Sequence, residues 1–490
     1  MGEQTENTGR AEAWREELRN AMPAKERTNI PRVVMPTLDP HYRITCNEEV
    51  NRGLSAEQAV LEATRCLDCP TPTCVDGCPV NIAIPDFIKN IQRGHYTEAA
   101  AVLRRTSALP AVCGRVCPQE KQCESRCIYN KMKKAPVAIG YLERFAADAE
   151  IAAHKNEKPE IKKNGIRIAV AGSGPAGLSF AGEMAKMGFD VDVFEALHEI
   201  GGVLKYGIPE FRLPNSIVDD QLNSLSAMGV RFHANTIIGK TMSYTQLLDK
   251  GFKGIFVASG AGLPRFMNIP GENYIGILSS NEYLTRINLM GAGRPSHDTP
   301  APSGKRVAVI GGGNTAMDSV RTARRMGAEK AMIIYRRSEA EMPARVEEVH
   351  HAKEEGVEFI TLANPVEYLA DERGRVRAVR VQRMELGEPD ASGRRSPQPI
   401  PGAIDEIPID LAIVSIGVSP NPIIPDNIDG LEVTGRGTIA VDDHLQSSIP
   451  TVFAGGDIVR GGATVILAMS DGRKAAREMA NKLLADAAHA

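Results

Sequence analysis

No apolar run in these 490 residues approaches the roughly 20 needed to cross a bilayer as a helix. The richest runs, IRIAVAG, VAVIGGG and LAIVSIG, have the length of buried parallel strands. Excess basic charge is missing too, with 58 Lys and Arg against 61 Asp and Glu and a formal charge of −3. That balance excludes the electrostatic footprint of a nucleic-acid binder or of a protein drawn to an anionic membrane. The opening MGEQTENTGRAEAWREELRN has no apolar signal core and no cleavage site. A cytoplasmic, reducing location is expected, where disulfides do not persist.

Cysteine and glycine are what the chain does have. Eight of nine cysteines lie between Cys66 and Cys127. Cys66, Cys69, Cys74 and Cys78 are spaced C-x2-C-x4-C-x3-C, with Pro79 following; Cys113, Cys117, Cys123 and Cys127 are spaced C-x3-C-x5-C-x3-C, with Pro118 after the second. Short spacings let one loop supply most thiolates of an iron–sulfur core, and a cysteine followed by proline crosses to the other core in two-cluster ferredoxins. Two groups this close suggest two clusters acting as an electron relay. Structural zinc and disulfides stay open as alternatives. Zinc favours paired C-x2-C motifs or mixed Cys and His, and no histidine joins these groups.

Length alone suits about three domains. Up to about residue 160 the apolar residues fall at helical spacing, as in AEQAVLEATRCL and IPDFIKNIQRGHYTEAAAVLRR. Ser55 is a candidate N-cap and Pro85 a first-turn proline. Residues 24–45, with Pro31, Pro36 and Pro40, read as an extended arm, and HKNEKPEIKKNG reads as a linker.

From Ile166 the pattern becomes strand, glycine turn, helix, strand. Gly172, Gly174 and Gly177 form G-x-G-x-x-G at the strand–helix junction, and Glu195 ends the next strand, placed to bind ribose hydroxyls. The glycines permit the turn, the approach of a pyrophosphate and close helix–strand packing. This context makes the motif a dinucleotide fingerprint. It recurs as Gly311, Gly313 and Ala316, but Tyr335, Arg336 and Arg337 stand where the acid is expected. Arginines there accommodate an adenosine 2′-phosphate, which favours NADP over NAD; the bland alternative is a solvated strand end.

The two fingerprints share a weak echo: KGIFVASGAGLPRFMNIPG and DLAIVSIGVSPNPIIP are each an apolar strand, then small residues, glycine and proline. RPSHDTPAPSGK reads as the linker into an inserted domain. Near the end, Gly455, Gly456 and Asp457 follow a strand, and a helix is predicted from near Ala463. Asp457 is placed to hold a ribityl chain, or else is a plain helix cap, and the helix N-terminus suits negative charge on a reduced flavin. The expected fold is α/β. Residues 1–160 form an all-α iron–sulfur domain, 161–300 with 416–490 a discontinuous FAD domain, and 301–415 an inserted NADPH domain, both nucleotide domains being Rossmann-like.

With RCLDCPTPTCVDGCPVNIAIPDFI, LPAVCGRVCPQEKQCESRCI, VAIGYLERFAAD, GGVLKYGIPEFRLP, EMPARVEEVHHAKEEGVEF and MELGEPDASGRR, the chain closely resembles the glutamate synthase small-subunit family. That family includes the large subunit of NADH-dependent reduced ferredoxin:NADP oxidoreductase, and the chain is also similar to the N-terminal part of dihydropyrimidine dehydrogenase. The resemblance implies FAD, NADPH and two 4Fe–4S clusters. It implies that one cluster is held by Cys66, Cys69, Cys74 and Cys127, and the other by Cys78, Cys117, Cys123 and Glu143, with Cys113 a bystander. It implies cofactor contacts at Pro175, Ala176, Gly202, Asn314 and Gly456 beside the fingerprint residues, and flavin-adjacent positions at Lys205, Tyr206, Thr464 and Val465. Lys205 is equally readable as a surface lysine, and His350–His351 as a solvated helix face rather than a metal site.

Three functions compete. The first is the electron-input subunit of glutamate synthase, whose partner makes glutamate from 2-oxoglutarate and glutamine. The second is the transhydrogenase large subunit, with a ferredoxin-reductase-like small subunit and a ferredoxin as partners. The third is a zinc-stapled flavin disulfide reductase, disfavoured because no redox-active C-x-x-C or C-x4-C follows the first fingerprint. No N-terminal nucleophilic cysteine is present, so glutamine cleavage is expected to belong to a partner.

Overall fold

Ser55 caps the helix Ala56–Arg65 through a full capping box with Gln58, and a proline sits in the first turn of the helix Ile84–Gln92. These helices pack with Tyr96–Arg104, Pro110–Val116 and Ile139–Ala152 around fully buried Phe87, Leu103 and Leu142. The computed structural model describes residues 8–153 and 160–489, and the expected linker HKNEKPEIKKNG falls partly outside them. Among the described residues no strand precedes Arg167. Most of the cysteines occupy loops and helix ends, but Cys113 lies within the helix Pro110–Val116 and Cys74 within the one-turn helix Thr73–Asp76.

The expected arm does cross a surface, and its end is anchored. Arg43 is fully buried and donates from Nε to Glu355 Oε1 at 2.8 Å and from Nη2 to the His351 carbonyl at 3.1 Å. It straps the N-terminal region to the second nucleotide-binding unit.

Two parallel five-stranded sheets follow. The first runs in the order Val452–Ala454, Phe252–Val257, Arg167–Ala171, Asp190–Phe194 and Arg231–His233. The second runs Ile277–Ser279, Leu411–Val414, Arg306–Ile310, Lys330–Tyr335 and Glu358–Thr361. An antiparallel sheet of Ala363–Ala370, Val376–Pro389 and Arg395–Pro408 covers one face of the second. The strands of the weak echo, Phe252–Val257 and Leu411–Val414, each pair with the fingerprint strand of their own sheet. Directly after them Leu263–Pro264 and Val418–Ser419 pair antiparallel, carrying the chain out to the second unit and back.

This crossing corrects the boundary expected at residue 301. Ile277–Ser279 pairs with Leu411–Val414 in the second sheet, so the second unit begins soon after the ribbon. RPSHDTPAPSGK is a surface loop inside that unit, because proline and serine mark loops wherever they occur. The helix after Asp457 also starts later than expected, at Val465, and continues to His489.

Candidate functional site

Each fingerprint is built where backbone approaches backbone. At Gly172 φ is +107°, and a Cβ there would stand 2.4 Å from the Ala258 carbonyl oxygen. Gly311 repeats this at +139°, 2.2 Å from the Ser415 oxygen. In the first turn a Cβ on Gly177 would meet the Gly172 oxygen at 2.0 Å, which packs the helix Pro175–Lys186 onto its strand. The middle glycines differ. A Cβ on Gly174 or Gly313 would meet nothing within 4 Å, so each leaves open space at a helix N-terminus where a phosphate can approach unpaired N–H groups.

Both turns open into one cleft of about 1920 Å³, which also takes in Glu195, Gly202, Tyr206, Asn314, Arg336, Asp457, Thr464 and Val465. Glu195 is buried at its strand end. Its Oε2 accepts from the Ser173 N–H at 3.0 Å and hydroxyl at 2.5 Å, and its Oε1 from the Leu197 N–H at 3.0 Å. Asp457 opens a one-turn helix and accepts from the Ala463 N–H at 3.1 Å; burial pushes its carboxyl up to about 6. Burial also pushes the Tyr206 phenol up to about 12, so it lines the cleft as a neutral group.

Two expected contacts are already paired. Lys205 is buried, is tied to Glu199 at 2.9 Å and Asp219 at 2.7 Å and is absent from the cleft wall, so it is not a surface lysine. Arg337 is buried, paired with Asp390 at 2.5 Å and bonded to the Arg395 carbonyl at 2.9 Å, while its neighbour Arg336 remains exposed. Both arginines line the cleft, but Arg337 is held by Asp390 and Arg336 has no such partner. Of the histidines, His350 is solvated beside Glu354, but His351 is buried, which lowers its affinity for a proton.

The thiols gather into two sets that cut across the two sequence blocks. Burial, then Cys66 and Cys127, push the Cys69 thiol up to about 11 and hold Cys74 well above its usual value. Separately, burial pushes Cys78 up to about 12, with Glu143 and Cys117 adding to it; Cys123 responds to burial, then Glu124, Cys78, Glu143 and Cys117. Cys127 thus stands with the first three, and Cys78 with the later two. Gly77 makes the second set possible: a Cβ there would lie 2.8 Å from the Gln122 oxygen and 3.1 Å from the Cys123 Cα.

Glu143 is the chemically exposed member of the second set. It is buried on the helix Ile139–Ala152, its Oε1 has no hydrogen-bond partner, and burial pushes its carboxyl up to about 8. Unpaired buried carboxylates are costly. A cationic core among Cys78, Cys117, Cys123 and Glu143 would relieve that cost, so the residues fit such a group. Cys113 stays at this set: its thiol hydrogen-bonds with Cys117 and lies 3.5 Å from the Met469 sulfur.

The family model described as dihydropyrimidine dehydrogenase domain II, 4Fe-4S cluster, matches residues 43–155, and that of pyridine nucleotide-disulphide oxidoreductase matches residues 166–472. The glutamate synthase (NADPH) small chain of Azospirillum brasilense is 38% identical over 436 residues, covering 87% of this chain and 90% of that one. The chain belongs to the glutamate synthase small-chain family. It is an NAD(P)H-dependent flavoprotein oxidoreductase with an iron–sulfur domain. The family's Escherichia coli K12 small chain is 37% identical, over 89% of this chain and 93% of that one. The NADPH-Fe(3+) oxidoreductase subunit beta of Geobacter sulfurreducens is 38% identical over 84% of this chain, but only 64% of its own length is covered. FprA from Mycobacterium tuberculosis shares the fold over 66% of this chain and 85% of its own, with TM-score 0.56 and 20% identity.

Three residues that shape the site escaped the motif reading. Gly114 lets the helix Pro110–Val116 meet the Glu143 helix, since a Cβ would lie 2.5 Å from Arg144 N. Gly472 does the same between the C-terminal helix and the first fingerprint, 2.2 Å from the Ala176 oxygen. Asp471, buried on the C-terminal helix, accepts from the Gly456 N–H at 3.0 Å and pairs with Arg460 at 2.6 Å, fixing the Asp457 loop. A buried polar residue inside an apolar helical face was the one available signal.

Proposed function

We propose that this chain is the NADPH-linked electron-input subunit of a glutamate synthase, with FAD on the first glycine turn, NADPH on the second and one 4Fe–4S core in each thiol set. When bound, these groups supply hydride transfer and its conversion into single electrons. The observation carrying this reading is that Val116 and Pro118, on either side of Cys117, line the same cleft as both glycine turns. The buried thiol set therefore borders the nucleotide site directly.

The residues position and tune. The helix N-termini at Gly174 and Gly313 would hold the two pyrophosphates, Glu195 would accept from ribose hydroxyls, and Arg336 would meet the 2′-phosphate. Asp457 would hold the ribityl chain, and Tyr206, Thr464 and Val465 would lie near the flavin ring. Cys78, Cys117, Cys123 and Cys127 are buried, whereas Cys66, Cys69 and Cys74 are half-buried, so the first set is the one nearer the surface. The partner docks at that outer set, in the cytoplasm. No helix among the described residues is long and apolar enough to cross a membrane.

Purification of the native complex tests the partner. A large FMN-containing subunit with glutamine- and 2-oxoglutarate-dependent NADPH oxidation is the expected result. A ferredoxin-reductase-sized subunit would replace this reading by the transhydrogenase large subunit, with ferredoxin as a further partner. A colourless zinc protein would overturn both.

A further inference from the structure

The antiparallel sheet beside the second unit has a purpose that its position reveals. Its strands Val376–Pro389 and Arg395–Pro408 form a long hairpin, and the tip folds over the end of the strand Lys330–Tyr335. The tip is rigidly made. The Asp390 N–H donates to the Arg394 carbonyl at 2.7 Å, and Asp390 Oδ1 accepts from the Ser392 N–H at 2.8 Å. Oδ2 of the same carboxylate holds Arg337, whose Nε also donates to the Arg395 carbonyl. Arg337 thus anchors the tip through both of its ends.

That anchorage delivers another guanidinium. Arg394 lines the cleft together with Arg336 and the Asp390-bound Arg337, and its Nε donates to Ser392 Oγ at 2.9 Å. Among the described residues neither Arg336 nor Arg394 has a carboxylate at ion-pair distance, whereas Arg337 does. Two uncompensated guanidinium groups on one wall, at the end of the second fingerprint strand, match a doubly charged phosphate on the adenosine ribose.

We infer that Arg394, brought over by the hairpin, reads the 2′-phosphate of NADPH together with Arg336, and that Arg337 is a positioning residue that fixes the hairpin tip. The inference rests on the proposed seat of NADPH on the second unit. Specificity for NADPH over NADH is then a property of the hairpin as much as of the fingerprint.

Titration calorimetry of the holoenzyme with 2′,5′-ADP and 5′-AMP tests it. Arg394→Gln should weaken 2′,5′-ADP about tenfold or more, the size of a lost charge-assisted contact, and leave 5′-AMP unchanged. In turnover the same variant should raise KM for NADPH with little change in kcat. Asp390→Asn, which releases Arg337 and the tip, should also weaken 2′,5′-ADP selectively. If Arg337 were itself the phosphate ligand, releasing it would leave or raise that affinity, and the inference would fall. An unchanged 2′,5′-ADP preference in Arg394→Gln overturns this inference alone. A wild type that does not prefer 2′,5′-ADP overturns the NADPH seat as well.

Discussion

Gly114→Ala is the substitution that most directly probes how the second thiol set is assembled. The new methyl group would lie 2.5 Å from Arg144 N and 2.7 Å from Arg144 Cα. Ordinary contacts need about 3.5–4.0 Å, so the two helices must separate by about 1 Å. The neighbouring backbone cannot rotate away as a side chain can, and overpacking of this kind costs about 1–3 kcal/mol. Function should suffer more than stability. Glu143 adjoins Arg144, while Cys113 and Cys117 flank Gly114, so the separation moves the carboxylate from its thiols by several times the tolerance of about 0.2 Å for a metal ligand. Iron and acid-labile sulfide should fall by about half relative to wild type, with one EPR signal of the reduced protein lost and the other retained. FAD content should persist. Gly435→Ala is the control, because a Cβ there meets nothing within 4 Å and its backbone is not left-handed. Full iron content with both EPR signals unaltered in Gly114→Ala would refute the assignment of Glu143 to the second core.

Other perturbations separate the remaining parts. Gly472→Ala, whose methyl would meet Ala176 O at 2.2 Å and Phe180 N at 2.9 Å, should lower the ratio of flavin absorbance to iron by pushing the C-terminal helix off the first fingerprint. Asp457 keeps its proton to about pH 6 when folded against an ordinary value of 3.8, so the folded, flavin-free chain holds more protons in that window and loses stability as pH rises through it. Asp457→Asn should therefore melt higher than the flavin-free wild type above pH 6 and alike below 3.8; a constant difference across pH would show that the carboxyl is not desolvated. Arg43→Ala should destabilise by about 3 kcal/mol, the low end for breaking a buried ion pair, since Glu355 keeps Arg321 and Arg325. Denaturant titration with proteolysis of residues 24–45 measures it, and an unchanged midpoint would mean that the arm does not strap the second unit.

The nucleotide-binding units were readable because buried parallel strands are near-continuous apolar runs and their turns need glycine. The unit boundary was not, because Ile277–Ser279 has only three residues and no period to detect. Spacing supplied eight cysteines but not their partition. Cys78 turns away from its block after the one-turn helix Thr73–Asp76, and Gly77 lets it lie against Cys123. Glu143 looked like any carboxylate on a mixed helix until its burial and unpaired oxygen were seen. The pair Arg336 and Arg337 carried the right charge at the right strand end. Which of them is left without a carboxylate partner depends on Asp390, more than fifty positions later, and local sequence holds no record of that contact.

The C-terminal helix explains why the helical domain and the first nucleotide-binding unit cannot be treated as separable modules. It begins at Val465 on the cleft, and Gly472 seats it against the first fingerprint helix. On the intervening turn Ser470 donates to the Pro79 carbonyl at 2.9 Å, Arg473 to the Val80 carbonyl at 3.1 Å, and Met469 meets Cys113. Cys78 and Cys117 share one apolar core with Met469, Ala476 and Met479. One rigid element therefore fixes the first fingerprint's side of the cleft, where we propose the flavin binds, relative to the inner thiol set, so their separation does not depend on a linker. Electron transfer between them then needs no domain motion. If so, Gly472→Ala should impair flavin-to-cluster transfer in whatever fraction still binds FAD, whereas weakening the Arg43 strap should leave that transfer intact. Stopped-flow reduction by NADPH, following flavin and cluster absorbance separately, distinguishes the two. Equal slowing in both variants would mean that the strap, not the helix, sets the distance.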